Sequence, residues 1–373
     1  MSKKPRRKTS YVDRKKESPA AKRAGTPRSA PKKSPLPGRA RKPSPTKSHT
    51  NAKQSPRGTG TRIREIRPWT VWLITRKTND DQYLLRPDEL VGWILLYLLL
   101  MKIRRYGLQL HGFVVMSNHI HLVVTDTRGT LPDFAREFFG ESGRALQLAL
   151  GTTRLIWGGK RYVATELLDH DAAERAIAYC YTNPSKAGMT LPKDWPGLTS
   201  ARFRFGDTLT ARRPDLYFGA NREEVVEGVL APLPRVVGET VCDEGNDGSD
   251  CERFEAECDR LQARIDVLVE SKLQGILAER KAAGKSGFAG REAALKVSRL
   301  TRTSNRKRGI TPRFMSRDRE RRVAAMSRHK AFLADYEDAR ERYIEGEQGV
   351  WFPHGTYGYR KQLRVNVRGG AVA

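Results

Sequence analysis

The sequence predicts an α+β fold: an antiparallel sheet with helices packed on it, flanked by a disordered basic N-terminal tail and a helical C-terminal extension. Three observations carry this expectation. Between Trp69 and Lys186 the apolar residues alternate between strand-like and helix-like runs, in the order strand, helix, strand, strand, helix, strand, helix. The first 60 residues hold 19 Lys/Arg, 2 acids and nine prolines, and such a segment cannot bury enough surface to offset its ordering entropy. Beyond residue 252, apolar spacing of 4-3-4-3 and long charged stretches read as helix. The expected boundaries are 1–66 for the tail, 67–236 for the domain that carries the chemistry, 237–252 for an acidic linker and 253–373 for a mostly helical basic extension.

The elements follow from their residues. TVWLITRKT (70–78) is β-branched and aromatic, hence a strand. Residues 87–106 read as a helix, with Pro87, Asp88 and Glu89 at its start, Lys102, Arg104 and Arg105 in its last turn and Gly107 as its stop. It is apolar nearly all round, so it should pack against a sheet. LQLHGFVVMS (108–117) and HIHLVVTD (119–126) form a hairpin that turns around Ser117–Asn118. Residues 130–151 are helical, with Thr130 as cap and Gly151 as stop. KRYVATELL (160–168) reads as a strand. Asp171 and Glu174 form a capping box for the next helix, which should end at Asn183–Pro184 because the residue before proline avoids the α region. Residues 192–235, rich in Pro, Gly and Arg, read as a wrapping segment. Phe254, Cys258, Leu261, Ile265 and Leu268 span about two heptads, which fits a packed amphipathic helix better than a dimer zipper. Residues 318–346 read as a long charged helix.

Composition bounds the function. The 373 residues suffice for about two domains. Seventy Lys/Arg against 42 acids give a net charge of +28, which argues for a polyanionic partner, nucleic acid before an anionic membrane surface. The longest apolar run, Ile94 to Met101, is far short of the roughly 20 residues that span a bilayer. MSKKPRRKTS is followed by no apolar stretch, so a secreted protein is not expected. Cys180, Cys242, Cys251 and Cys258 include no CxxC pair, which suits a reducing cytosol. The tail reads either as a solubilising or targeting segment or as an arm that clings to DNA through counterion release.

Candidate chemistry centres on His119-Ile120-His121. On a strand, residues two apart share a face, so both imidazoles project side by side. Two neutral imidazoles make two legs of a divalent-metal site, although the bare pattern fits two histidines with local hydrogen bonds better than it fits ligands. Tyr179 and Asn183 lie four apart, on one face of the 171–183 helix. A tyrosine hydroxyl is a nucleophile once its phenolate or its target is stabilised, and an amide oxygen suits magnesium or manganese. Taken alone, Tyr179 also fits a core position, and Tyr181 competes for the role. Lys186 suits either a phosphate or the helix dipole, and Trp157 suits either a base stack or the core. Arg306, Lys307 and Arg308 sit in the most basic stretch of the extension and are candidates for DNA contact.

VVMSNHIHLVV together with YCYTNPSKAGM resembles the signature of the single-tyrosine HUH transposases, within them the REP-associated tyrosine transposase branch. Met116, Asn118, His119 and His121 match the first run, with Ser117 where proline is usual; Tyr179, Asn183, Pro184, Lys186, Ala187 and Gly188 match the second. The resemblance covers roughly residues 68–200. It implies a ferredoxin-like (RRM-like) antiparallel sheet, a usual homodimer, and action on single-stranded or hairpin DNA in a bacterial cytoplasm, close to the nucleoid. It further implies that His119, His121 and Asn183 bind Mg2+ or Mn2+ and that Tyr179 forms a 5′-phosphotyrosine intermediate in DNA nicking and joining. Two other readings stay open: a DNA-binding protein of the same fold without the chemistry, and a metal phosphodiesterase in which water attacks.

Overall fold

In the computed structural model the described residues are 9–10, 63–159, 162–215, 218–219, 221–235, 237, 251–303, 311–358 and 365–369. All the elements below belong to the compact unit formed by Met1–Val12 and Arg64–Ala373. The basic tail (apart from Thr9, Ser10 and the residues from Ile63 onward), most of the acidic linker, and Arg306, Lys307 and Arg308 lie outside the described residues.

Thr9–Ser10 forms a two-residue strand, β1. The main sheet begins with β2 (Thr70–Lys77), continues through β3 (Leu108–Met116), β4 (His119–Asp126) and β5 (Val163–Leu167), and has the order β3-β4-β2-β5 with every pair antiparallel. With helix α1 (Glu89–Tyr106) between β2 and β3, and α2 (Leu131–Ala149) between β4 and β5, this is a βαββαβ unit whose central strands are the first and third. The fold is α+β, as the periodicities require.

Residues directly opposite in an antiparallel pair share a face, so the register divides the sheet. Thr75 lies opposite His121, and Lys77 opposite His119, on one face. Arg76 lies opposite Ile120 on the other, where its guanidinium stands 4.7 Å over the ring of Phe139 from α2. That second face, with Ile120, Leu122 and Val124 buried, is therefore the one under α2 and its neighbour α1. Helix α3 (His170–Lys186) covers the histidine face. Cover on both faces makes β2 a continuous apolar run rather than an alternating one.

The wrapping segment contains structure that its Pro, Gly and Arg content hid. β6 (Thr208–Arg212) and β7 (Val225–Val229) pair antiparallel, and β1 adds to β6 in parallel at Leu209 and Thr210. The hairpin lies on the outer side of α1. There Gly228 brings the β7 backbone so near Leu100 that a Cβ would stand 3.0 Å from its side chain, and the Tyr97 hydroxyl donates to the Glu223 carbonyl at 2.7 Å. Sheet on one side and hairpin on the other explain why α1 is apolar nearly all round.

Helix ends differ in three places from the sequence expectation. Thr130 sits at the start of α2 but its hydroxyl donates to the Tyr106 carbonyl; the Asp126 carboxylate accepts from the Thr130 and Leu131 amides instead, at 2.9 and 2.8 Å. For α3 the cap is Asp169, which accepts from the Ala172 amide at 2.7 Å, while Asp171 and Glu174 pair with Arg175 and Arg264. Finally, α3 runs through Pro184 to Lys186. In a last turn, proline forfeits little beyond its own N–H bond to the carbonyl four residues back. The Ala187 amide on the Asn183 carbonyl and the Met189 amide on the Pro184 carbonyl close the end. Because the helix continues, Asn183 keeps helical register with Tyr179.

The extension packs on this core. Helix α4 (Cys251–Ala282) lies along α3 with Cys258, Leu261 and Ile265 buried, the packed amphipathic helix that the spacing predicted. Helix α5 (Arg291–Lys296) follows, then β8 (Phe314–Met315), which joins β5 as a fifth, parallel strand. Helix α6 (Arg319–Ile344) is capped by Asp318. Its Arg328 reaches Glu166 of β5 at 2.8 Å, and Arg67 reaches the same carboxylate at 2.9 Å. No helix among the described residues is long and apolar enough to cross a membrane.

Candidate active site

The tight turn at Ser117–Asn118 starts β4 directly with His119, and alternation along the strand puts His121 beside it, with ring centroids 4.8 Å apart. Helix α3 crosses this face and sets Tyr179 edge-on to His121 at 5.1 Å. One turn on, Asn183 is buried on the same helical face as Tyr179. A further turn brings Lys186, whose ammonium stands 5.6 Å from the centroid of the Tyr179 ring. Two elements of different sequence neighbourhoods thus deliver five polar side chains to one place.

The imidazoles are held by their inner nitrogens. His119 Nδ1 donates to Asn118 Oδ1 at 2.7 Å, and His121 Nδ1 bonds Thr75 Oγ1 at 2.8 Å. A proton on Nδ1 leaves the Nε2 lone pair of each ring to a ligand. His121 Nε2 is buried and has no hydrogen-bond partner among the described residues. Such a group costs about 1–3 kcal/mol, a cost that a bound cation would remove.

Electrostatics agree with neutral ligands. Burial, reinforced by Lys77, pushes His119 down to about 4, against the opposing bond from Asn183 and the charge of Asp81. Burial, with His119 and Lys77, holds His121 well below its ordinary value. Both rings are uncharged at neutral pH, the form that binds metal. The Tyr179 phenol is raised by burial and by Cys180, and the bond from Asn183 works the other way. No group of three or more His, Cys, Asp or Glu side chains stands at metal-binding spacing among the described residues. A metal here would rest on two imidazole nitrogens and the Asn183 amide oxygen, with water and phosphate oxygens to complete it, a donor set that suits magnesium or manganese.

Of the residues singled out in the sequence, His119, His121, Tyr179, Asn183 and Lys186 come together. Trp157 does not present a face to a base: it is 7% exposed, its indole N–H donates to Ser142 Oγ at 3.1 Å, and Phe139 and Arg76 cover its ring. It is a core residue, and its stacking role is withdrawn. Tyr181 and Cys180 are likewise buried in the core. His111 is buried away from the site, its Nδ1 on the Ala231 carbonyl at 3.0 Å and its Nε2 on Thr125 Oγ1 at 2.8 Å. Thr75 escaped the sequence reading, as did Asn118 as an orienting group and the Lys77–Asp81 pair at 3.2 Å. Thr75 is revealed only by the strand register, since it lies 46 residues from His121.

No protein-family model matches the chain, and neither does any curated protein. Among solved structures, it is similar to that of a REP-associated tyrosine transposase bound to a REP hairpin, with 20% identity over 39% of this chain and 84% of the other, at a TM-score of 0.33. It is also similar to the crystal structure of a candidate transposase from Deinococcus radiodurans R1, with 21% identity over 29% of this chain and 83% of the other, at a TM-score of 0.23. These likenesses are too distant to carry the functional reading, which rests on the side chains of the site.

Proposed function

We propose that this chain is a metal-dependent single-stranded DNA endonuclease and strand transferase of the transposase class, acting on single-stranded or hairpin DNA. The observation that carries the reading is the convergence of a tyrosine hydroxyl with two neutral imidazoles and an amide, one imidazole nitrogen being buried without a partner. His119, His121 and Asn183 would hold Mg2+ or Mn2+, which when bound supplies a Lewis acid for the scissile phosphate. Tyr179 Oη gives up its proton and attacks phosphorus in line. The P–O3′ bond breaks and the departing 3′ oxygen takes up a proton in place of the one Tyr179 lost, which leaves a 5′-phosphotyrosine and a free 3′-hydroxyl. A 3′-hydroxyl from another strand attacks the phosphotyrosine and rejoins DNA, so the phosphodiester count is conserved and no nucleotide cofactor is consumed. Lys186 balances the charge of the phosphate.

The test is incubation with end-labelled, hairpin-rich single-stranded DNA pools and Mn2+ or Mg2+, followed by denaturing gels. A protein–DNA adduct that requires metal and disappears in Tyr179→Phe is the expected result. Cleavage that survives Tyr179→Phe would assign the attack to water. Binding with no cleavage across the pool would leave a DNA-binding protein of this fold.

A further inference from the structure

Residues 299–303, which follow α5, run as a strap beside residues 81–84. The Tyr83 amide donates to the Thr301 carbonyl at 3.0 Å, Gln82 and Arg302 face one another across an antiparallel bridge, and the Thr303 amide donates to the Asp81 carbonyl at 3.4 Å. Arg299 anchors the near end, where its guanidinium donates to the Leu84 carbonyl at 2.9 Å and to the Asp88 carboxylate. Residues 78–85 in turn carry the turn of the β3–β4 hairpin: the Thr78 amide donates to the Asn118 carbonyl and the Leu85 amide to the Ser117 carbonyl, both at 2.9 Å. Asp80 and Asp81 have φ of 54° and 53°, a left-handed conformation that residues other than glycine keep where their surroundings enforce it.

The strap meets the candidate active site at Asn118. Asn118 Nδ2 donates to the Asp81 carbonyl at 3.4 Å and to Thr303 Oγ1 at 3.3 Å, while Asn118 Oδ1 accepts from His119 Nδ1 at 2.7 Å. A backbone carbonyl only accepts, so the end of the amide that faces Asp81 is the NH2. The oxygen end is thereby turned to His119, Nδ1 carries the imidazole proton, and Nε2 keeps its lone pair. Both bonds to Nδ2 are long, so the amide depends on the two together. We infer that Thr303 is a positioning residue for the metal site: from 185 residues away in sequence, it helps hold the Asn118 amide in the one orientation that leaves His119 Nε2 open to a divalent cation. The inference rests on the metal-binding reading of the site and gives the C-terminal extension a part in it.

The test has two readouts. The ring 15N shifts of His119 in the metal-free, DNA-free chain at neutral pH report which nitrogen carries the proton, and thermal shift reports Mn2+ binding. Thr303 is exposed, so Thr303→Val removes the hydroxyl without disturbing the core. The share of His119 protonated on Nδ1 should fall, while His121, held by Thr75, keeps its tautomer. The Mn2+ midpoint should rise roughly twofold to tenfold, the worth of one hydrogen bond. Thr303→Ser should match the parent in both readouts. Arg302→Gln, which breaks only an exposed pair with Asp80 at 3.5 Å, should also leave both unchanged. An unmoved His119 tautomer in Thr303→Val would overturn the inference, even if the Tm fell, since a merely structural role would lower the Tm alone. Thr303→Ala, which also lacks the hydroxyl, decides the matter should Thr303→Val fail to fold. The tautomer is read without metal or DNA. A parent chain that binds no Mn2+ would therefore refute the function proposed above, whereas an unmoved tautomer refutes only the role of Thr303.

Discussion

Thr75→Val isolates the orientation of one imidazole from everything else in the site. The two side chains are nearly equal in volume, so the change removes a hydroxyl and little packing. Thr75 Oγ1 bonds His121 Nδ1 at 2.8 Å; with the hydroxyl as acceptor, the proton sits on that nitrogen and the Nε2 lone pair faces the site. Without the hydroxyl, either Nδ1–H stays buried and unpaired or the proton moves to Nε2, where a metal must displace it. Either outcome costs about 1–3 kcal/mol, which is roughly fivefold to 150-fold in a binding constant. The expectation is therefore a Mn2+ requirement raised at least roughly fivefold, a span that brackets the 10–100-fold found for loss of a group that orients a metal-bound histidine. Cleavage at saturating Mn2+ should recover most of its rate, because Tyr179 and Asn183 are untouched. Thr75→Ser should behave as the parent. The assay is Mn2+ titration read in parallel by strand cleavage and by thermal shift. An unchanged Mn2+ midpoint in Thr75→Val would refute the reasoning, since His121 would then be oriented by something else.

Two further outcomes follow from buried groups. His111, with a folded-state value lowered by burial from 6.5 to about 4, contributes stability that is fully present above pH 6.5 and is lost as pH falls from 6.5 to about 4, roughly 3 kcal/mol when complete. His119 adds a loss in the same window, so His111→Gln, which can still donate to Ala231 and accept from Thr125, should flatten but not abolish the acid dependence seen in urea unfolding, and an unaltered dependence would contradict the assignment. Glu166 is 3% exposed and holds both Arg67 and Arg328, so Glu166→Gln leaves two guanidiniums undercompensated and should cost about 3 kcal/mol, with increased protease sensitivity around β8 and α6; a Tm equal to that of the parent would show that Glu65 alone suffices for both arginines.

What could be read in advance was set by local periodicity. The β4 histidines, the Ser117–Asn118 turn and the helical spacing of Tyr179 and Asn183 involve neighbours in sequence, and each was visible there. What was hidden depends on distant partners. Thr75 looks like one more strand residue until β2 is set in register against β4. Asp126 caps α2 from the end of the preceding strand, because its carboxylate reaches two free amides that Thr130, committed to Tyr106, does not serve. The β6–β7 hairpin is short and half-exposed, and its residues need α1 beneath them to become strands. Pro184 was read as a stop by a rule about the residue before it, yet Asn183 remains helical and the chain closes only at the Ala187 and Met189 amides. Trp157 illustrates the reverse case: an aromatic among Gly, Arg and Lys suggested a stacking platform, but α2 offered Phe139 and Ser142 to bury it.

The chemistry assigned to Tyr179 runs against its surroundings, and that opposition is informative. Burial and Cys180 hold the phenol above its ordinary range, while His119 and His121 are neutral and, with values pushed so low, are weak bases. Lys186 faces the ring of Tyr179. As the chain stands, Tyr179 is a poor nucleophile. Its phenolate becomes accessible only when positive charge is added at the end of the site that His119, His121 and Asn183 define. Under the proposed chemistry, a DNA strand bound with a divalent metal would supply that charge. A tyrosine that gains reactivity only in that combination would not modify itself or cut DNA at random.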